Sequence, residues 1–173
     1  VIFNGNNYDE ANQEMLTKAG VWRIDSGVEA MNALVSPKNI ELFERNKVLS
    51  AKECKARAAV LHDHYTGSVE MEALTMVDRL KQHVLPSCDN ASVDSGDVKK
   101  ALAAVEAGIK TVHSAGDEYS KAKAARVLRL EVMEDARKAC DAAEADVPAE
   151  MWTLATYQEL LFLDSNQGPE IYE

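Results

Sequence analysis

A long helical stretch without proline constrains the fold of this chain more than any other feature. Residues 51–85 contain no proline, and the S-x-x-E capping box of Ser50 and Glu53 stands at their start. Apolar residues recur there at the spacing of one helix face; they are Cys54, Ala58, Leu61, Tyr65, Val69, Met76, Leu80 and Val84, widened by Met71, Leu74 and Val77. About 35 helical residues span roughly 50 Å, so this helix needs partners of similar length.

Two such partners are predicted in the residues that follow. Alternating steps of four and three predict an apolar helical seam; it consists of Val98, Leu102, Val105, Ile109 and Val112. After a reversal at residues 113–117, an alanine-rich helix is expected to run to about Ala145. Its apolar stripe drifts around the helix and comprises Tyr119, Ala122, Val127, Leu130, Met133, Ala136, Cys140 and Ala143. The sequence therefore predicts an all-α fold, with the long helix and a helical hairpin forming an antiparallel, coiled-coil-like three-helix bundle.

Small helices are predicted ahead of the bundle. Asp9, Ser26 and Ser36 each stand where the N-cap of a short helix is expected, which predicts three small helices within residues 9–46. Residues 1–3 are apolar and run into a turn signal, as at the end of a strand whose partners lie elsewhere. We interpret them as a junction with a longer polypeptide.

The chain is expected to have three regions: residues 1–49 with the junction and the small helices, residues 50–147 with the bundle, and residues 148–173. Polar residues 87–97 predict a mobile loop. The last region begins with a dense apolar cluster that something must cover, and it ends in an acidic tail without Lys or Arg. The predicted docking residues of this cluster are Met151, Trp152, Leu154, Tyr157, Leu160, Leu161 and Phe162.

Charge and composition argue against several classes of partner. The formal net charge is −10, so the cationic attraction that drives binding to phosphate backbones or anionic lipid is missing. We expect neither nucleic acid nor membrane as a partner. Three cysteines at long spacings, without a CxxC pair, are typical of reduced thiols in a cytoplasmic protein.

A search for catalytic constellations finds none. His62 and His64 project about 200° apart on a helix and cannot share a metal, so we expect them on solvated faces with Asp63. Glu131 and Glu134 share a face but lack the Glu-x-x-His partner of a carboxylate-bridged metal pair. Phosphate-loop, nucleophile-elbow and zincin motifs do not occur. The residues therefore predict no catalytic, cofactor-binding or metal-binding site in this chain.

Four blocks of sequence resemble the C-terminal region of type III glutamine synthetases. In order along the chain they are IFNGNNY (residues 2–8), VSPKNIELFERNKVLS (35–50), EALTMVDRLKQHVLP (72–86) and MWTLATYQELLF (151–162). The order and spacing of these blocks agree with that family, and they are distinctive as a set. The match to the family pattern is weakest in residues 87–125 and after Leu163.

This resemblance implies an ancillary role. The family joins ammonia to glutamate with ATP and Mg or Mn in ring-shaped homo-oligomers of the cytoplasm, and its metal, phosphate and glutamate ligands lie in motifs that precede this region. The implied partners are therefore the catalytic portion of the same polypeptide and neighbouring subunits. The implied role is structural, in packing or assembly.

Two other classes are left open by the residues alone. The first is a stand-alone interaction module, an adaptor whose seam at residues 98–112 receives a partner helix. The second, more distant, is a carboxylate-metal bundle enzyme. Stoichiometric iron or manganese in the purified protein would be its mark.

Overall fold

The computed structural model describes residues 4–155 and Leu160, and within that part of the chain every regular element is a helix. The all-α prediction is confirmed. The chain divides into two compact units, Val1–Leu61 and His62–Glu173. The strand end predicted at residues 1–3 lies outside the described residues.

The first unit contains the three predicted small helices and the start of a fourth. They are α1 (Glu10–Lys18), α2 (Gly27–Ala33), α3 (Pro37–Arg45) and α4 (Ala51–Arg79), of which the residues up to Leu61 belong to this unit. Asp9 accepts a hydrogen bond from Ala11 N, and Ser26 Oγ accepts one from Glu29 N. Gly20 takes a φ of 79° just after α1, a value that glycine adopts without strain.

The capping box of Ser50 and Glu53 forms at the start of α4 as predicted. Ser50 N and Ser50 Oγ both donate to Glu53 Oε2, at 2.8 and 2.7 Å. Glu53 N donates in return to Ser50 Oγ at 3.3 Å. These hydrogen bonds hold the pKa of the Glu53 carboxyl below its usual value, because they favour the ionised form.

The predicted mobile loop at residues 87–97 is wrong in its first half. After α4 the chain makes a π-helical turn (Leu80–Val84) and continues as α5 (Leu85–Ala91), with Ser87 and Cys88 buried. A proline in an α-helix lacks the N–H for its i−4 partner and its ring collides with that carbonyl. The π turn widens the helix at this point, since Leu85 N–H donates to Leu80 O, and Pro86 follows without ending the helix. The loop shortens to residues 92–95.

The hairpin of the second unit has the predicted reversal. It consists of α6 (Gly96–Ser114), α7 (Glu118–Val127), a second π-helical turn (Leu128–Val132) and α8 (Met133–Asp146), followed by a single 3-10 turn (Ala149–Met151). Asp117 caps α7 by accepting from Ser120 N at 2.8 Å. Pro148 follows the end of α8, close to the predicted helix end at about Ala145.

Cross-helix pairs fix the directions of the three long helical runs in the second unit. Glu70 Oε1 lies 2.6 Å from His113 Nε2, and in the π turn that follows α4 Lys81 Nζ lies 2.6 Å from Glu106 Oε1. The later residue on one helix pairs with the earlier one on the other, so α6 is antiparallel to α4. The ring of His62 lies 5.2 Å from that of Tyr119, and Glu72 pairs at 3.2 Å with Arg129 of the second π turn. The run of α7 and this turn is therefore parallel to α4. This is the predicted three-helix bundle.

Two apolar clusters form the core of the second unit. Val69, Ala73, Val105, Ile109, Val112, Ala125, Leu128 and Ala136 form the first, and Leu80, Val84, Cys88, Val98, Ala143 and Val147 form the second. Gly108 faces Leu128 so closely that a Cβ on it would lie 2.6 Å from Leu128 Cδ1. A glycine in mid-helix therefore permits the close approach of α6 and the second π turn.

The predicted apolar stripes are partly wrong. Leu61, Met71 and Leu74 are exposed on α4, and Val127 and Leu130 are exposed on the other side of the bundle. Val69 of the predicted stripe is buried, and the other buried positions are neighbours of predicted ones: His62, Thr66 and Ala73 on α4, and Ala125 and Leu128 near the second π turn. The second π turn (Leu128–Val132) holds one more residue than a turn of an α-helix, so a stripe drawn through it at regular α spacing runs out of phase with the buried face.

Candidate functional site

The C-terminal end of the bundle carries a groove, which we call the α4–α8 groove. Its volume is about 390 Å³. One wall is the face of α4 around Met76 and Arg79 with Leu80 and Val84 of the π turn; the other is the face of α8 around Cys140. Trp152, Leu154, Ala155 and Leu160 border it from the C-terminal segment. The site therefore lies where the predicted docking residues are.

An extended backbone positions the docking residues beyond the 3-10 turn. Trp152 has φ −83° and ψ 117°, and in such a conformation successive side chains point to opposite sides. Trp152 and Leu154 pack against the second apolar cluster. Between them Thr153 Oγ1 lies 3.0 Å from His83 Nδ1, and Thr153 N donates to Ser87 Oγ at 3.4 Å. The segment is thus held by both apolar and polar contacts.

The seven predicted docking residues have different surroundings. Trp152 and Leu154 are half-buried, whereas Met151 is 40% and Leu160 is 68% exposed. Tyr157, Leu161 and Phe162 lie outside the described residues. Of the four described docking residues, two are half-buried and two are exposed, so the segment does not bury all of its own apolar side chains.

The groove contains an unpaired donor and an inert thiol. Trp152 Nε1 is buried and has no hydrogen-bond partner among the described residues. Burial raises the pKa of the Cys140 thiol to about 11, with smaller contributions from Asp141 and Cys88. A thiol with such a pKa is almost entirely protonated at neutral pH and a poor nucleophile. Cys140 therefore gives the groove an apolar lining residue rather than a nucleophile.

Charged side chains line the rim. Arg137 Nε lies 3.7 Å from Asp141 Oδ2 across one turn of α8. Arg79 lines the opposite wall and takes part in none of the ion pairs found in the described part of the chain. Glu72, Asp141 and Glu144 also line the groove, so its charged residues are three carboxylates and two guanidinium groups.

The polar residues that hold the C-terminal segment were missed by the sequence analysis. His83, Ser87 and Thr153 carry no motif, and residues 87–97 were predicted as loop. The sequence feature that could have indicated a continuing helix was Pro86, because proline is tolerated in the first turn of a helix as well as after a helix end. Reading it as a stop placed Ser87 and Cys88 in solvent, whereas both are buried.

The predicted solvated face at His62 is also wrong. His62 is buried and stacks on Tyr119, while Asp63 and His64 are exposed. Glu131 and Glu134 are exposed, and neighbouring Asp135 pairs with Lys138 at 2.7 Å. No metal-binding triad comes from any of these residues.

Comparison with known proteins identifies the family. The family model described as "Glutamine synthetase C-terminal domain" matches residues 1–94, which is more than half of the chain. The chain belongs to this family. The match includes the first unit and extends through α4 and α5.

Two curated relatives cover almost the whole of this glutamine synthetase C-terminal domain. A type-3 glutamine synthetase of Dictyostelium discoideum is 26% identical over 197 residues, and a glutamine synthetase of Butyrivibrio fibrisolvens is 25% identical over 195 residues. Each alignment covers 94% of this chain but 27% of the relative. The chain therefore spans about a quarter of the length of the curated relatives it matches.

The residues present do not fit the metal that the family implies. Across residues 4–155 and at Leu160, no three His, Cys, Asp or Glu side chains converge as metal ligands. The α4–α8 groove offers apolar side chains, two guanidinium groups and the carboxylates of Glu72, Asp141 and Glu144, not a phosphate cradle. In the same part of the chain, no helix is both long and apolar enough to cross a membrane.

Proposed function

We propose that this chain serves a type III-like glutamine synthetase as its structural C-terminal helical domain. The parent enzyme would ligate ammonia to glutamate with ATP and Mg or Mn in the cytoplasm, and its catalytic residues would lie outside this chain. The family match over residues 1–94 carries the proposal. The two glutamine synthetase relatives support it because they continue far beyond the aligned region.

The partners we propose are the catalytic portion of the same polypeptide and neighbouring subunits of a ring-shaped homo-oligomer. Support comes from the first unit, where large apolar side chains lie in solvent: Tyr8, Met15, Val21 and Trp22, the last 77% exposed. Isolated exposed apolar residues are common, but several large ones in a small unit are typical of an interaction surface. We assign this surface to contact with the parent enzyme.

The C-terminal segment is proposed as the second docking element, through Met151, Trp152, Leu154, Tyr157, Leu160, Leu161 and Phe162. The half-buried state of Trp152 and Leu154 and the exposure of Leu160 support it. Its role would be to fasten the helical domain, either on its own bundle or on the catalytic portion.

An adaptor that receives a partner helix along residues 98–112 is not favoured. Val98, Val105, Ile109 and Val112 are buried in the two apolar clusters of the bundle. Leu102 packs against the second cluster. The seam that an adaptor would offer is already occupied by α4, α7 and α8 of the same chain.

The test of this function uses the full-length parent enzyme. Trp22→Ser should weaken ring assembly, which light scattering measures. The double variant Trp152→Ala with Leu161→Ala should weaken docking of the helical domain by a few kcal/mol. Met71→Ser is the matched control, because Met71 is similarly exposed but lies outside both proposed surfaces. Unchanged assembly and stability in both sets of variants, with glutamine synthesis at the normal rate, would refute the role.

A further inference from the structure

The outer side of the helical run from α7 through the second π turn into α8 changes the sign of its charge along its length. In chain order its side chains are basic, apolar and acidic: Lys123 and Arg126, Val127 and Leu130, then Glu131 and Glu134. Arg126 is half-buried and the other five are exposed. The core residues of the same run, Ala125, Leu128 and Ala136, belong to the first apolar cluster. The six side chains therefore form one outer surface, which we call the α7–α8 face.

The charges of this face are not neutralised within the described part of the chain. None of its four charged residues takes part in an ion pair there. Lys123 Nζ lies 4.6 Å from the centre of the Tyr119 ring. Lys138, one turn after Glu134, is paired with Asp135 at 2.7 Å. Two cations and two carboxylates of the face are therefore open to another molecule.

The order of the charges makes the α7–α8 face complementary to itself in one orientation. When two copies lie antiparallel, positions equally far from the midpoint between residues 128 and 129 face each other. The facing pairs are then Lys123 with Glu134, Arg126 with Glu131 and Val127 with Leu130. Each pair occurs twice, as a two-fold contact requires. Parallel copies would instead bring like charges together, which costs free energy.

We propose that the α7–α8 face binds the same face of a second copy of this chain in an antiparallel, two-fold contact. The apolar side chains lie at its centre and the charge pairs at its two ends. This inference goes beyond the proposed function, because neither of the docking surfaces given above contains these residues. A two-fold contact joins two molecules, whereas a ring is closed by head-to-tail contacts. The face is small compared with a standard interface, so the dimer is weak.

The test is a charge-swap series in the 173-residue chain. Lys123→Glu with Arg126→Glu makes the face wholly acidic, and Glu131→Lys with Glu134→Lys makes it wholly basic. Each variant alone should dimerise at least about tenfold more weakly than the unchanged chain, because like charges then face each other. An equimolar mixture of the two should recover the affinity of the unchanged chain, since every facing pair again has opposite signs. Analytical ultracentrifugation measures the dissociation constants, and circular dichroism checks folding.

Lys99→Glu with Lys110→Glu is the matched control. It makes the same change in net charge at two exposed lysines of α6 that lie outside the α7–α8 face. Its dissociation constant should stay within about threefold of that of the unchanged chain, because salt screens charges at a distance from the contact.

A second readout reports the direction of the contact and keeps the central charges intact. A mixture of Val127→Cys chains and Leu130→Cys chains should form mixed disulfide dimers faster than either variant alone, because these two positions face each other in the antiparallel pair. Mass spectrometry identifies the linked cysteines. Faster linkage within either single variant than in the mixture would contradict the antiparallel contact.

Three results of the charge-swap series would overturn the proposal: an unchanged chain that stays monomeric up to about 1 mM, a mixture that does not recover the dimer, or swap variants that dimerise like the unchanged chain. So would a control that loses the dimer as far as the swap variants do, because net charge would then explain the loss. All of these results leave the assembly test on the parent enzyme unaffected, since that test changes Trp22, Trp152 and Leu161.

Discussion

The two units of this chain differ in how far they bury their own apolar side chains. Among residues 4–61 the buried apolar side chains are Val28, Cys54 and Ala58, all small or of medium size. The second unit buries two clusters that include Leu80 and Leu128. Burial of apolar area is the main favourable term in folding. The second unit therefore has a larger apolar core of its own than residues 4–61 of the first.

The largest expected effect tests the core of the second unit. Leu128→Ala should lower the free energy of unfolding by about 2–5 kcal/mol, because it leaves a cavity in a fully packed cluster. Leu42→Ala, on the exposed side of α3 in the first unit, should lower it by less than about 1 kcal/mol. Urea unfolding monitored by circular dichroism measures both. Equal losses would contradict the difference between the units.

The next effect concerns the close approach of α6. Gly108→Ala should destabilise the chain by about 1–3 kcal/mol, because the new methyl group meets Leu128, a buried side chain with little room to move. Gly67→Ala is the paired control, since nothing lies within 4 Å of its Cβ position. That change should stabilise α4 by up to about 1 kcal/mol through helix propensity. Thermal unfolding of the two variants should shift in opposite directions.

A smaller loss of stability is expected when the capping box at the start of α4, in the first unit, is removed. Ser50→Ala removes the capping box of α4 and should reduce stability by about 1 kcal/mol. Ser36→Ala is the matched control, because the side chain of Ser36 makes no capping hydrogen bond at α3. Urea unfolding that shows equal losses for the two serines would rule out a stabilising role for the box.

The smallest effect is the pH dependence of the same box. The folded pKa of Glu53 lies below its usual 4.5, so its contribution is present above that value and is lost as the pH falls through the folded pKa. Glu53→Gln should flatten the stability profile below about pH 4.5. Urea midpoints across the acid range measure this change. A variant profile as steep as that of the parent chain would show that other carboxyls, such as Asp117, dominate.

Local signals in the sequence were sufficient for the helices and their starts. Asp9, Ser26 and Ser50 mark caps because a side chain bonds its own neighbouring backbone, which needs no tertiary information. The docking segment was likewise visible as an apolar cluster. Trp152 and Leu154 pack on the bundle, while three of the seven predicted residues lie outside the described part.

Which side of each helix is buried could not be predicted as well as which residues are helical. Leu61 and Leu130 fit a regular apolar spacing yet are exposed, whereas His62 and Leu128 beside them are buried. Which side of a helix is covered depends on the neighbouring helices and on turns that depart from the α geometry, and neither leaves a local mark. The groove at Cys140 and Trp152 was hidden for the same reason, since its walls are far apart in sequence.

The two π-helical turns have a consequence for how this bundle tolerates changes in length. One residue added to an α-helix rotates everything after it by about 100°, which would turn α8 away from α6. A π turn absorbs one such residue within Leu128–Val132, and a second does so within Leu80–Val84. Removing a single residue inside either turn would leave the faces beyond it in phase with the core. The same deletion a few residues away would bring charged side chains into the centre of the bundle.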